Sequence, residues 1–263
     1  MKKILSIARS DSSGGGGIQG DIKTITVHKA FAATVLTAVT AQNSKGIRDV
    51  INLTPEMVKL QFDTVISNFM PDCIKLGMLG TSEIIDIVAD KIKELGVNEI
   101  VVDPVLVSNR GEIMLDDEAL ERYLERYKER ILPLAHVLIP NIPEAELLSG
   151  CKIEEMSDMV KTAEKLADMT GGSILIKGGH LPSCADDLLY TKGEAIWFAQ
   201  PRVETRNTFG VGCAFSAAMC CYIAEGFSVR SSASFAKKYV LGAIKNGIPL
   251  EGRGVINHMY ELK

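Results

Sequence analysis

Short apolar runs, each followed by a segment with helical periodicity, recur along the whole chain, and no other feature restricts its fold as much. The runs at residues 3–8, 33–40, 73–77, 99–103, 136–140 and 173–177 are rich in Ile, Val and Leu and are bounded by Gly, Pro or polar residues, as buried strands are. Helix starts lie between them. Thr54 precedes Pro55, an N-cap followed by proline at the first helical position, and Thr81-Ser82-Glu83 opens a second helix ending near Gly96. Further helices are predicted after the run ending at Asp21 to about Lys29, over 116–130 as a charged, solvated face, around 143–149 and 156–169, from near Gly212, and from about Ser228 to about Lys245. Residues 187–190 and 195–198 read as a hairpin about Lys192-Gly193. The alternation predicts an α/β fold with a mostly parallel sheet flanked by helices. No linker, repeat or low-complexity segment interrupts the 263 residues, so one domain over 1–263 is expected.

Composition narrows the function classes. A formal net charge of −4 gives no reason to expect nucleic acid or an anionic membrane as partner. No apolar run approaches the roughly 20 residues of a membrane-spanning helix. Met1-Lys-Lys-Ile-Leu-Ser6 could start a signal peptide, but Arg9, Ser10 and Asp11 end the apolar stretch, so a cytoplasmic protein is expected. The six cysteines (Cys73, Cys151, Cys184, Cys213, Cys220, Cys221) form no C-x-x-C pair and read as reduced thiols, and the four histidines are scattered. A metal cage of His and Cys is not expected.

In open α/β sheets ligands bind beyond the carboxyl ends of the strands. Polar and glycine-rich clusters fall there, at 10–17, 42–44, 77–80, Asp103, 141–144 and 177–180. Gly15-x-Gly17-x-x-Gly20 follows a strand and enters a helix, as a dinucleotide fingerprint does. The acidic residue that should follow about 20 positions on is missing; the next acid after Asp21 is Asp49, which argues against a dehydrogenase. No G-x-x-x-x-G-K-[ST], G-x-S-x-G or H-E-x-x-H is present. The remaining chemistry centres on residues 205–218, where Gly210 and Gly212 precede Cys213 and a small, apolar run to Ala224. Two readings fit. A helix starting near Gly212 offers backbone amides and its positive dipole end to an anion, with Cys213 on the first turn and its thiolate favoured below the usual pKa of about 8.5. Alternatively the helix is simply buried and Cys213 is a small apolar residue. Lys177, Asn141 and Glu144 add the parts phosphoryl transfer needs: charge stabilisation and a magnesium-holding carboxylate. Singly, Glu144 could cap a helix, Lys177 could pair with an acid, and Asp103 could cap a turn before Pro104.

Together these motifs resemble the ribokinase-like superfamily, and within it the hydroxymethylpyrimidine/phosphomethylpyrimidine kinases of thiamine biosynthesis. Residues 10–24 (Ser-Asp-Ser-Ser-Gly-Gly-Gly-Gly-Ile-Gln-Gly-Asp-Ile-Lys-Thr) are similar to that family's N-terminal signature. The motifs at 37–43, 75–79, 102–105, 140–145, 176–180 and 207–213 follow in family order. The resemblance implies a three-layer fold with a mostly parallel central sheet flanked by helices. It also implies ATP and Mg²⁺ as cofactors, a small pyrimidine as acceptor and a homodimer. By the same resemblance, Gln42 reads the aminopyrimidine edge, Met78 and Val105 wall the ring, and Asp21 lies at the substrate. Cys213 stands where most sugar kinases carry an aspartate base. The amides of Gly210, Val211, Gly212 and Cys213 hold the transferring phosphoryl group. Lys177 and Asn207 meet the nucleotide, and Asn141, Glu144 and Asp103 serve the metal. The chain departs from the family pattern in places: Arg9 replaces glycine, small-residue variation appears at Gly16 and Gly20, Phe209 replaces histidine and Val211 replaces threonine. Arg9 could contact a phosphate, crowd the pocket, or point to solvent. A pyridoxine or pyridoxal kinase, or a relative that binds nucleotide without turnover, are the alternative readings.

Overall fold

The computed structural model describes residues 1–106, 117–178, 186–199 and 203–262. Asp116, His180 and Cys184, which figure in the sequence reading, lie outside the described residues. In chain order the elements are β1 (Lys3–Asp11), α1 (Gly17–Val27), β2 (Phe31–Asn43), β3 (Gly46–Asn52), α2 (Pro55–Ile66), β4 (Cys73–Leu76), α3 (Ser82–Leu95) and β5 (Ile100–Val102). They continue as α4 (Asp117–Arg130), β6 (Val137–Leu138), α5 (Ile142–Ser149), α6 (Met156–Thr170), β7 (Ser173–Ile176), β8 (Asp187–Thr191) and β9 (Glu194–Phe198). The last are β10 (Asn207–Phe209), α7 (Val211–Ala224), α8 (Val229–Lys245) and β11 (Gly254–Val255).

The chain divides into two compact units. The first comprises Met1–Val101 and Val203–Lys263 and the second Val102–Arg202. In the first unit the strand order is β3-β2-β1-β4, with β2, β1 and β4 parallel and β3 antiparallel at the edge. Ile4, Leu5 and Ile7 of β1 are fully buried, because a parallel strand covered on both faces must be apolar on both. Helices α1 and α7 pack on β1 and each other, with α8 behind α7, and α2 packs on β2 and α3. In the second unit β6 runs parallel to β7, and β7, β8 and β9 form an antiparallel meander whose last turn is Lys192-Gly193 at φ 52° and 80°. Helix α6 covers β7 and β8. The α/β architecture and the parallel strands read from the alternation are present.

Helix boundaries follow local chemistry. Thr54, Thr81 and Ser228 cap α2, α3 and α8 by accepting from Met57 N, Ile84 N and Ser231 N. Helices α1 and α7 differ, since each begins after a glycine that offers no side-chain cap.

Several strand expectations are corrected. β1 runs three residues past Ala8, and β2 ends at Asn43 rather than Thr40, because each gains a partner: Ser10 and Asp11 pair with Val39 and Thr40, and residues 38–43 pair with β3. β3 went unread because Arg48 and Asp49 break its apolar pattern, and its pairing is made through the Ser44-Lys45 turn. β10 and β11 are too short for any periodicity, and they pair across a long stretch of sequence.

His258 is enclosed in the first unit, and burial pulls its pKa down to about 4, with Lys23 adding to the effect. The unfolded chain therefore binds a proton that the folded chain refuses between pH 6.5 and about 4. Stability is full above pH 6.5 and falls as pH drops through this window, by up to about 3 kcal/mol from this residue. Urea midpoints measured at pH 7 and pH 5 should show a smaller difference for His258→Phe than for the parent chain.

Candidate active site

In the first unit the site is built where β1 and β2 end. The β1–β2 register slips between Ala8 and Ser10, which places Arg9 at the irregularity, and the β2–β3 register slips between Ala41 and Gln42. Such slips re-aim side chains at strand ends. Arg9 turns inward and is 9% exposed, so the solvent-pointing alternative is excluded. Its Nη1 donates to Thr40 Oγ1 at 3.1 Å and to Gln42 Oε1. Gln42 is half-buried on β2, with its amide oxygen held by Arg9.

The glycine-rich loop between β1 and α1 is ordered by its own hydrogen bonds. Asp11, fully buried, accepts from Ser13 N at 2.9 Å, Ser13 Oγ at 2.7 Å and Gly16 N at 2.8 Å. Ser12 Oγ donates to Gln42 O at 2.7 Å and accepts from Gln42 N at 2.8 Å, which ties the loop to the strand that carries Gln42. Asp11 was missed as an organising residue, although its place between a strand end and a glycine run is the usual signal of an Asx-stabilised turn.

The start of α7 comes to the same loop. Gly210 has φ 92°, and a Cβ there would stand 2.0 Å from Gly15 O, so only glycine fits. A Cβ on Gly16 would stand 3.6 Å from Cys213 Sγ and 3.3 Å from Asp11 Oδ2. The N-termini of α1 and α7 therefore converge beside Cys213, neither with a side-chain cap nor with an acidic residue in its first turn. The α7 dipole end and its uncapped amides favour an anion, whereas at α1 the Asp11 carboxylate already accepts from Gly16 N. Val211, Gly212 and Cys213 are the first three residues of α7, and the Cys213 side chain is half-buried.

Other expected residues are placed differently. Asp21 is fully enclosed, and its Oδ2 accepts from Ser6 Oγ at 2.6 Å and Lys75 Nζ at 2.9 Å. Its position in a closed ion pair sets it beneath the site rather than on its surface, and Lys75, which the sequence reading left without a role, is its partner. Asn207 sits in β10, with its side chain against Gly247 and Gly254, where any Cβ would collide with it. This packing fits β10 to its neighbours. Phe209 is buried with its ring against Gly15. Met78 is buried, and its carbonyl accepts from Thr37 Oγ1 at 2.7 Å.

The second unit gathers Asp103, Asn141, Glu144 and Lys177. Lys177 Nζ donates to Asp103 Oδ1 at 2.9 Å, and the backbones of Asn141 and Lys177 meet in an isolated bridge. Asn141 and Glu144 form a capping box at α5: Asn141 Oδ1 accepts from Glu144 N, and Glu144 Oε2 accepts from Asn141 N, each at 2.9 Å. Leu106 N donates to Glu144 Oε1 at 3.3 Å. Burial pushes the Glu144 carboxyl up, Lys177 opposes that shift and Asp103 adds to it. The plain structural readings of Glu144 as a cap and Lys177 as an ion-pair partner are thus realised. Even so, two buried carboxylates beside one lysine form a hard-oxygen set that suits a cation keeping most of its own water. Val105 is half-buried at φ 29°, a rare conformation for a β-branched residue.

Comparison with known proteins shows the family of the chain. A family described as phosphomethylpyrimidine kinase matches residues 11–257. The chain is 39% identical over 259 residues to the hydroxymethylpyrimidine/phosphomethylpyrimidine kinase of Bacillus subtilis, covering 97% of this chain and 94% of that one. It is 39% identical over 258 residues to the thiamine biosynthesis bifunctional protein ThiED of Geobacter sulfurreducens, covering 97% of this chain and 52% of the relative, so it spans about half that protein's length. The pyridoxal kinase from Staphylococcus aureus in complex with AMP-PCP superposes with a TM-score of 0.91 at 33% identity, covering 100% of this chain and 95% of that one. A match from the glycine-rich loop to His258's neighbour Asn257, with both glycines and the cysteine of α7 inside it, settles the classification: the chain belongs to the phosphomethylpyrimidine kinase family.

Proposed function

We propose that this chain transfers the γ-phosphoryl group of ATP to the hydroxyl of 4-amino-5-hydroxymethyl-2-methylpyrimidine, and then phosphorylates the monophosphate to the diphosphate. The observation that carries this reading is the convergence of two glycine-started helices beside Cys213, in a chain matched to its kinase relatives almost end to end. In the first step the hydroxyl oxygen forms a bond to the γ-phosphorus, the bridging P–O bond to ADP breaks, and the hydroxyl proton passes to Cys213. The amides of residues 210–213 stabilise the charge on the transferring oxygens. Because the transition state is loose, the proton is needed late, so a thiol suffices where a stronger base is absent. In the second step the acceptor is already an anionic phosphate oxygen, and no alcohol proton has to be removed.

Asn141 and Glu144, with Asp103 close by, are the residues that would hold Mg²⁺ and its waters. The ion would supply neutralisation of phosphate charge. Lys177 adds a positive charge for the nucleotide phosphates. Gln42 reads the pyrimidine edge, and Met78 offers apolar surface to the ring. Asp21 acts by holding Lys75 and Ser6 under the site. The whole chain works as one kinase domain over 1–263, cytoplasmic and homodimeric in this reading; sedimentation velocity checks the dimer. Among the described residues no helix is long and apolar enough to cross a membrane.

Gln42→Ala tests the edge reader. Loss of a specific amide contact should raise KM for the pyrimidine about 10- to 100-fold, with the dissociation constant for ATP unchanged. Steady-state kinetics and ATP calorimetry on the same preparation decide this, and an unchanged pyrimidine KM would remove Gln42 from the site. The pyridoxal alternative has one observation in its favour, the Arg9 contact to Gln42, because that contact changes what the edge can accept.

A further inference from the structure

We propose that Arg9 is a specificity-determining residue, which extends the acceptor range of this site to ring alcohols carrying an exocyclic oxygen where the aminopyrimidine carries its amino group. The inference rests on Gln42 reading the ring edge, as proposed above. Three observations lead to it. First, Arg9 lies at a register slip of β1 and Gln42 at a register slip of β2, so both are aimed away from the regular ladder toward the same strand ends. Second, Arg9 is nine-tenths buried, yet its hydrogen-bond partners among the described residues are two uncharged oxygens, those of Thr40 and Gln42, both reached from Nη1. A guanidinium carries five N–H donors and no acceptor, and a buried cation without a carboxylate is costly unless a ligand completes it. Third, the Gln42 amide oxygen faces Arg9, and Thr40 Oγ1 lies 3.3 Å from the same oxygen.

The consequence is a change in the chemistry of the recognition edge. A free glutamine amide offers one acceptor and one donor, which suits an amino group beside a ring nitrogen. Here the acceptor is turned to Arg9, so the amide presents its N–H groups, and the remaining guanidinium donors stand beside them. An exocyclic amino group brings donors to an edge of donors. An exocyclic oxygen, neutral or ionised, accepts from both Gln42 and Arg9, and the bond from the guanidinium is charge-assisted. The site should therefore tolerate oxygen at this position far better than a glutamine standing alone would.

The test uses a matched pair of compounds, 4-amino-5-hydroxymethyl-2-methylpyrimidine and its 4-oxo counterpart, which differ at the exocyclic atom and, in the neutral oxo form, by the proton its lactam carries on a ring nitrogen. Dissociation constants are measured by calorimetry, and phosphorylation is followed with ATP and Mg²⁺, for the parent chain, Arg9→Gly and Arg9→Met. The quantity read is the ratio of affinities, oxo over amino, within each protein, so a general loss of stability cancels. The ratio should fall at least tenfold in both variants, Arg9→Met separating the loss of charge from the loss of bulk. A ratio unchanged or raised in both variants overturns the role of Arg9. Binding of both compounds without transfer of phosphate would sink the proposed kinase activity while the ratio still decides the role of Arg9; binding of neither would sink both.

Discussion

Cys213→Ala should slow phosphorylation of the hydroxymethyl compound by about two to four orders of magnitude, the range expected when a general base is removed, and should slow phosphorylation of the monophosphate far less. The asymmetry follows from the acceptors. An alcohol must lose its proton as the new O–P bond forms, whereas a phosphate oxygen arrives as an anion. The backbone cradle survives the substitution, because Gly210 sets its turn: at φ 92° a Cβ there would stand 2.0 Å from Gly15 O. Quench-flow measurement of each step separately reads the two rates. Equal losses in both steps would mean that Cys213 shapes the site rather than taking a proton.

Lys75→Met should lower the stability of the chain by about 3–5 kcal/mol, the loss typical when one partner of a buried ion pair is removed. Lys75 and Asp21 have no exposed side-chain surface, and their nitrogen and oxygen are 2.9 Å apart. Removing the ammonium leaves the Asp21 carboxylate in the interior with Ser6 as its remaining hydrogen-bond donor of the two. The effect should reach the site as well, since a Cβ on Gly77 would lie 3.1 Å from Lys75 Nζ and 2.9 Å from Ala8 Cβ, so the pair lies directly under the strand that leads to Arg9. A second variant, Lys75→Met with Asp21→Leu, removes both charges and should recover most of the loss, because an apolar pair of similar volume needs no compensation. Urea denaturation of the three proteins measures this. A loss under 1 kcal/mol in Lys75→Met would show that the ion pair adds little.

The sequence was informative wherever local chemistry decides structure. Thr54 and Thr81 announce their helices, Lys192-Gly193 its turn, and Gly210 with Gly212 the start of α7, because each acts within a few residues of itself. Interactions between distant segments were not legible. The end of β1 depends on β2, the end of β2 on β3, and the inward turn of Arg9 on register slips in both pairings. Asp21 carries the appearance of a surface acid in a glycine-rich signature, and only the approach of Lys75 from β4 encloses it. Asn207 is similar: its packing between Gly247 and Gly254 is set by the return of the chain after α8. Glu144 shows the limit from the other side, since the spacing Asn141-x-x-Glu144 specifies a capping box whatever else the carboxylate does.

The most direct test of the kinase assignment is product analysis with ATP and Mg²⁺ as donor, offering hydroxymethylpyrimidine, its monophosphate and pyridoxal in parallel and resolving products by phosphorus NMR. The account predicts pyrimidine monophosphate followed by pyrimidine diphosphate, with ADP released in step with each transfer. Bound ATP with no phosphorylated pyrimidine at any time, or pyridoxal phosphate as the sole product, would contradict it.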